Sequence, residues 1–171
     1  MTGELGGAAA GLKLLQDGAP TLGADKRGRA RRKLIARQSR PTPRVEWGRV
    51  LGERKLAPAL IDLSDGLSSD LAHLCRASGV GAGLDAARLP LDKSVLAAGF
   101  GHEDALRLAL DGGEDFELLF TVRPRDLSKL PAEVGGVRVT HIGEVTGERG
   151  RLQLIRDGQA EPLVPGGFRH F

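Results

Sequence analysis

The sequence predicts an α+β fold, an α/β sandwich in which helices flank a mixed β-sheet. Three observations point there. From residue 59 onward, short apolar runs alternate with segments of helical periodicity. Phe116–Val122 is apolar almost throughout, as expected of a strand covered on both faces. Two further short runs flank Asp157-Gly158, a strong hairpin turn signal. Strands interleaved with helices require packed layers, and the hairpin makes the pairing partly antiparallel.

Residues 1–50 read as a helical N-terminal arm and linker, and residues 51–171 as the domain core. Ala8–Leu15 predicts a short helix with Leu12 and Leu15 on one face, followed by the linker Asp17-Gly18-Ala19-Pro20. Lys26–Arg40 is cationic, with Leu34 and Ile35 as its apolar anchors, and its basic residues do not keep to one helical face. A solvated helix fits that scatter, and a nucleic-acid or phosphate patch is the competing reading. Pro41-Thr42-Pro43 forces extended backbone. Residues 44–51 suggest another helix with Trp47 as a packing anchor.

Ala59–Leu63 reads as a strand, and Ser64 or Asp65 is expected to cap a helix from Gly66 to Ser78. Gly79 and Gly81 stop that helix before a short strand at Ala82–Asp85. Pro90 opens a helical stretch through Ala98. Glu103–Leu110 is helical with Leu106 and Leu110 on one face, and Gly112-Gly113 ends it. Val137–Val145 reads as one strand, and Arg151–Arg156 pairs with Ala160–Val164 as the hairpin.

A length of 171 residues suits one domain, or one domain with an arm. With 40% apolar and only 4% aromatic residues, Leu, Val and Ala must fill the core. The absence of Tyr and the single Trp argue against a stacking platform for single-stranded nucleic acid. A net charge of +3 does not by itself call for a polyanionic partner. Cys75 is the sole cysteine, which excludes an internal disulfide and a Cys-rich zinc site and fits a reducing cytoplasm. It falls on the apolar side of its helix, as a buried inert thiol would. No apolar stretch approaches the ~20 residues of a membrane span, and the first residues lack a signal-peptide layout, so the expected location is cytoplasmic, without membrane partners.

Two acidic segments carry the chemistry. Asp62-Leu63-Ser64-Asp65-Gly66-Leu67 follows an apolar strand, and Gly112-Gly113-Glu114-Asp115-Phe116-Glu117 leads into another. Each places carboxylates at a joint between regular elements, where α/β proteins handle metals and phosphates. Asp62 and Asp65 form half of a plausible Mg²⁺–phosphate site, with Ser64 either donating to a phosphate or capping the helix. The competing reading is a metal-free cap. Glu114-Asp115 follows a glycine pair whose backbone can approach a ligand closely, and equally suits a solvated turn. Glu117 alternates with apolar neighbours and is better read as a structural partner for an arginine. His73, His102, His141 and His170 form no convincing metal face. With no Walker loop and no Gly-x-Ser-x-Gly elbow, covalent catalysis has no candidate residue.

Leu60 to Leu71 and Gly112 to Thr121 resemble the C-terminal half of the thiamine-monophosphate kinase family, in the AIR-synthase-related ATP-binding superfamily. Supporting matches are Thr2-Gly3-Glu4-Leu5-Gly6, Ala9-Ala10-Gly11-Leu12, Arg40-Pro41-Thr42-Pro43-Arg44, His141-Ile142-Gly143 and Gly167-Phe168-Arg169-His170-Phe171. The resemblance implies an AIR-synthase C-terminal-domain-like fold and ATP-dependent phosphorylation of thiamine monophosphate to thiamine diphosphate, with Mg²⁺. It implies Asp62 and Asp65 as Mg²⁺ ligands, Ser64 as an ATP contact, and Glu114 and Phe168 as contacts to thiamine monophosphate.

By the same resemblance, the family's N-terminal domain, with its Gly-Asp-Asp-type motif, is expected to lie outside this chain, and the last residues are expected to correspond to the family's end. The resemblance therefore implies weak Mg-ATP binding and little turnover for the isolated chain, unless a separate N-terminal half is supplied. The family-type homodimer is expected only with that half. Gly7-Ala8 stands where the family commonly shows Asp-Ser, which bears on local capping. The alternatives are another ATP-dependent superfamily member, such as a hydrogenase-maturation or selenophosphate-forming protein, and a non-catalytic module binding nucleic acid or an acidic partner through Lys26–Arg40.

Overall fold

A computed structural model of the protein describes residues 1–18 and 23–168. Part of the predicted linker, Ala19-Pro20, and the closing Arg169-His170-Phe171 lie outside the described residues. In chain order the helices and strands are α1 (Gly7–Gln16), α2 (Lys26–Ser39), α3 (Val45–Glu53), β1 (Leu60–Asp62), α4 (Leu67–Ser78) and β2 (Gly81–Asp85). They continue with α5 (Lys93–Ala97), α6 (His102–Asp111), β3 (Leu118–Phe120), β4 (Glu133–Val134), β5 (Val137–Arg138), β6 (Gly143–Thr146), β7 (Leu152–Arg156) and β8 (Gln159–Pro162). Short 3₁₀ turns occupy Ala86–Arg88 and Pro124–Lys129.

The main sheet is mixed, as expected. Its order is β6-β2-β7-β8, with β2 parallel to β7 and the other neighbours antiparallel. The β7–β8 hairpin turns at Asp157-Gly158, whose positive φ values of 49° and 79° match the predicted turn. Leu63, Leu67, Leu71 and Cys75 pack with Ala109, Leu110, Leu84 and Leu154 in the principal core. Cys75 is buried there, and burial pushes its thiol pKa up, which keeps it inert.

A second ladder pairs β1 with β3 antiparallel, placing Leu60 opposite Phe120 and Asp62 opposite Leu118. Ile61 and Leu119 join the principal core, and Phe120 joins Trp47, Leu51 and Leu56 in another cluster. Trp47 is the packing anchor expected, and its indole N–H donates to the Val137 carbonyl at 2.9 Å.

Residues near the N-terminus share this packing. Met1 and Leu5 are buried in the principal core. Ala10 and Leu14 of α1 pack with Ala30 and Leu34 of α2 and with Val95 of α5. The helices α1 and α2 touch so closely that a Cβ on Gly11 would fall 2.1 Å from the Leu34 carbonyl oxygen. Leu34 is fully buried although α2 is otherwise strongly polar. Leu34→Ala is expected to lower unfolding free energy by about 2–5 kcal/mol, read from the denaturant midpoint.

Several boundaries differ from expectation. The helix expected from Pro90 begins at Lys93, because Leu91 bridges to Leu5 in extended form and Asp92 caps the helix through the Ser94 N–H at 2.8 Å. The single strand expected at Val137–Val145 is divided into β5 and β6. Between them, Val139 bridges to Thr2 and Thr140 donates to the Met1 carbonyl.

Candidate active site

Three segments distant in sequence converge at the joint between β1 and α4. Asp62 ends β1 with its side chain exposed, and Ser64 and Asp65 in the following turn are half-buried. The Leu63 N–H donates to the Glu117 carbonyl at 2.8 Å, and the Leu63 carbonyl accepts from the Phe116 N–H at 2.9 Å. The Glu114 N–H donates to the Ser64 carbonyl at 2.9 Å. A Cβ on Gly113 would fall 2.4 Å from that same carbonyl oxygen, so only glycine permits this approach. Glu114 and Phe116 hold φ of 66° and 49°, the left-handed region uncommon for non-glycine residues and often found at binding sites.

The third segment follows β8. Gly166 donates its N–H to Ser68 Oγ at 3.2 Å, and Ser68 Oγ donates to Asp111 Oδ1 at 2.7 Å. The Phe168 N–H then donates to the Asp65 carbonyl at 3.0 Å, with the residue 61% exposed. Backbone bonds thus tie Glu114 to Ser64 and Phe168 to Asp65.

The cap of α4 is not the one expected. Gly66, at φ 114°, takes the N-cap position, and the amides of the turn are satisfied by Asp70, one turn into the helix. Asp70 Oδ2 accepts from the Asp65 N–H at 3.1 Å and the Gly66 N–H at 3.2 Å. Burial lifts the Asp70 pKa above the usual carboxylate range; the turn amides pull it back, while the neighbouring Asp65 carboxylate pushes it further up. Neither Ser64 Oγ nor the Asp65 carboxylate is the helix cap. Among the described residues, no three His, Cys, Asp or Glu side chains gather to hold a metal unaided. Two carboxylates completed by water and phosphate oxygens suit Mg²⁺.

Behind the joint lies a buried ionic cluster. Glu117 is fully buried and accepts from Arg44 Nε at 2.7 Å and Arg44 Nη2 at 2.6 Å, the arginine partnership expected of it. Thr2 Oγ1 donates to Glu117 Oε2 at 2.8 Å. Arg37 lies 3.3 Å from Asp92 and 3.6 Å from both Asp115 and Glu117. Lys33 also reaches Asp92, at 3.3 Å. Burial raises the Asp92 pKa, but the Ser94 hydrogen bonds and the charges of Lys33 and Arg37 outweigh it and hold the carboxyl below its usual range. Gln38 donates from Nε2 to the Glu114 carboxylate. Several basic or polar residues of α2 therefore reach the acidic joint from behind.

Asp115 supplies the cap that α1 lacks. Its carboxylate accepts from the Gly6 N–H at 2.6 Å and the Ala8 N–H at 3.1 Å, where the Gly7-Ala8 departure leaves no local capping side chain. Burial pushes the Asp115 pKa up to about 6, against the pull of those amides and Arg37. A folded-state pKa raised above the unfolded value gives stability that is full below about pH 4 and is lost as pH rises through about 6. Asp115→Asn removes that titration. The wild-type stability minus that of the variant should therefore fall by about 3 kcal/mol between those limits, measured by urea unfolding across pH.

Residues 3–155 match the family described as AIR synthase related protein, C-terminal domain. The chain belongs to that family. A thiamine-monophosphate kinase of Escherichia coli K12 is 43% identical over 173 aligned residues, which cover all of this chain and 51% of that protein. The crystal structure of the thiamine-monophosphate kinase of Stenotrophomonas maltophilia superposes with TM-score 0.79 at 38% identity, over 94% of this chain and 49% of that one. A structure described as AaThiL complexed with AMPPCP and TMP gives TM-score 0.78 at 31% identity, over 99% and 50%. The chain spans about half the length of the curated relatives it matches.

In this AIR-synthase-related domain, sequence reasoning located both acidic segments but missed Asp70, Ser68, Asp111 and Gln38. One signal was present for the α4 residues. Ser68-Ser69-Asp70 is a run of small polar residues opening a helix whose next residue, Leu71, enters the core. No sequence spacing links Gln38 to Glu114, which lie 76 positions apart. Among the described residues, no helix is long and apolar enough to cross a membrane.

Proposed function

We propose that this chain is the C-terminal part of a thiamine-monophosphate kinase, transferring the γ-phosphate of ATP to thiamine monophosphate to give thiamine diphosphate in the cytoplasm. The carrying observation is the convergence at one joint of Ser64, Asp65, Glu114 and Phe168, through the 2.9 Å and 3.0 Å backbone bonds. Similarity to thiamine-monophosphate kinases along the whole chain supports the same reading.

In this reading Asp62 and Asp65 ligate Mg²⁺, and Ser64 Oγ donates to an ATP phosphate. Glu114 and Phe168 hold thiamine monophosphate, Phe168 offering its exposed ring to the cationic thiazolium or to the pyrimidine. The donor set fits the metal. Two hard carboxylates lie at the end of β1 and on the following turn, whose Asp65 and Gly66 amides are already served by Asp70, and the Asp65 charge beside buried Asp70 favours a nearby cation. Bound Mg²⁺ would neutralise phosphate charge. The chain's own residues orient the two phosphate-bearing molecules, and phosphoryl transfer requires little more than such positioning and charge neutralisation. No protein nucleophile is required.

The basic residues of α2 do not favour a nucleic-acid module, because Lys33 and Arg37 face buried carboxylates and Arg27 Nε donates to the Ala98 carbonyl. The test is formation of thiamine diphosphate from ATP and thiamine monophosphate, with and without the other half of a relative supplied as a separate chain. Little turnover alone and turnover on complementation are expected, together with the family-type homodimer. Steady turnover by the chain alone would overturn the requirement for a second half. Preference of the complemented enzyme for another acceptor would overturn the substrate assignment.

A further inference from the structure

A cavity of about 800 Å³ opens between the C-terminal half of α4, the turn at 149–151 and the segment from Pro162 to Pro165. That volume lies within the range of small-molecule sites, about 300–1,000 Å³. None of Asp62, Ser64, Asp65, Glu114 or Phe168 lines it. Its lining includes the apolar Leu152, Leu163 and Pro165 and three arginines, Arg76, Arg149 and Arg151, all exposed. Among the described residues, no acidic side chain lines it.

The charges do not cancel locally. Arg151 pairs with Glu148 beside the cavity. Arg149 Nε donates to the Gly79 carbonyl at 3.4 Å, across the C-terminus of α4. That helix end carries about half a negative charge, which offsets at most half of one guanidinium. Arg76 has no side-chain ion pair among the described residues. About one and a half positive charges are therefore left facing a partly apolar space.

We infer that this cavity binds a small organic anion with an apolar body. Its carboxylate, sulfonate or phosphate-ester head sits between Arg76 and Arg149, and its hydrocarbon or aryl part lies on Leu152 and Leu163. Neither the acid-free lining nor the pairing of an apolar wall with cations suits a metal or a sugar. The site stands independently of the kinase reading, because it shares no residue with the acidic joint.

The test titrates the full chain with anilinonaphthalene sulfonate, an anion of this class, and follows dye fluorescence. Saturable binding is expected, weakened about fivefold to tenfold in the double variant Arg76→Ala/Arg149→Ala and unchanged in Arg88→Ala, an exposed arginine elsewhere. Amide NMR spectra of the wild type with the dye provide a measurement that needs no variant, with shifts expected at Ser78, Gly79, Gly150 and Leu152. Shifts centred instead on Leu60 and Phe168 would overturn the inference, as would equal binding by the double variant. Displacement of the dye by thiamine monophosphate with Mg-ATP would also overturn it, by placing the dye at the joint. Equal competition by inorganic phosphate would overturn the apolar half of the assignment.

Discussion

Glu117→Ala is expected to destabilise the chain by about 3–5 kcal/mol, more than any single truncation elsewhere in the ionic cluster. The carboxylate is fully buried and accepts from Arg44 twice and from Thr2 once, with Arg37 3.6 Å away. Its removal leaves the Arg44 guanidinium, itself mostly buried, facing a void. Arg44 also loses the contact that holds its pKa up, since the Glu117 hydrogen bond is the main cause of that rise. The penalty is chiefly that of a stranded charge, not the net worth of the pair. Glu117→Met combined with Arg44→Met should therefore recover most of the loss. Urea unfolding of the wild type, both single variants and the double variant measures the coupling. A loss under 1 kcal/mol for Glu117→Ala, or a double variant no better than the worse single one, would show that the cluster does not work this way.

The same cluster explains why the role of α2 was not legible in the sequence. Its basic residues look scattered because their partners come from other elements: Asp92 is 55 positions from Arg37 and 59 from Lys33. Helical-face arguments use neighbours three or four residues apart and cannot see such pairs. The partnership of Glu117 was legible from the other side, since a carboxylate alternating with Phe116, Leu118 and Leu119 must be buried and a buried charge needs a counter-ion.

Local rules recovered most elements from residue 59 onward because periodicity and turn chemistry agree there, as at the Asp157-Gly158 hairpin. They failed where long-range pairing decides. Phe116 belongs to the apolar run, yet β3 begins only at Leu118, because Phe116 turns into the left-handed region and donates to the Leu63 carbonyl. The cap of α4 was misplaced for a related reason. Capping rules look at the residues before a helix, whereas here a positive-φ Gly66 lets Asp70 reach back from the first turn. The two acidic segments were found because chemistry at element joints depends on residue type and order, both of which are read directly. Their convergence was not, since it rests on the 2.9 Å bond from Glu114 to Ser64, 50 positions apart, and the 3.0 Å bond that adds Phe168 at Asp65 spans more than half the chain.

Asp65→Asn is expected to separate stability from activity. If Asp62 and Asp65 hold Mg²⁺ against nucleotide phosphates, removing either charge in the complemented enzyme should lower phosphoryl transfer by about a hundredfold or more, a loss of about 3 kcal/mol in transition-state stabilisation. Part of that loss should return at higher Mg²⁺ concentration, because the remaining carboxylate and the nucleotide still offer oxygens. The fold should respond far less. The Asp65 charge lies beside buried Asp70 and raises the Asp70 pKa, so its neutralisation relieves a like-charge repulsion. The backbone carbonyl of Asp65 that accepts from Phe168 is untouched by the substitution. The thermal midpoint of Asp65→Asn should therefore stay within about 4 °C of the wild type while transfer collapses, which separates a loss at the site from a loss of the fold. Asp85→Asn provides the contrast, because the Asp85 carboxylate caps the Ala86–Arg88 turn through the Ala87 N–H, away from the joint in sequence, and its loss should leave transfer unchanged. Thermal melts and transfer rates across a Mg²⁺ series measure both arms, and a folded Asp65→Asn enzyme with undiminished transfer would remove Asp65 from the metal site.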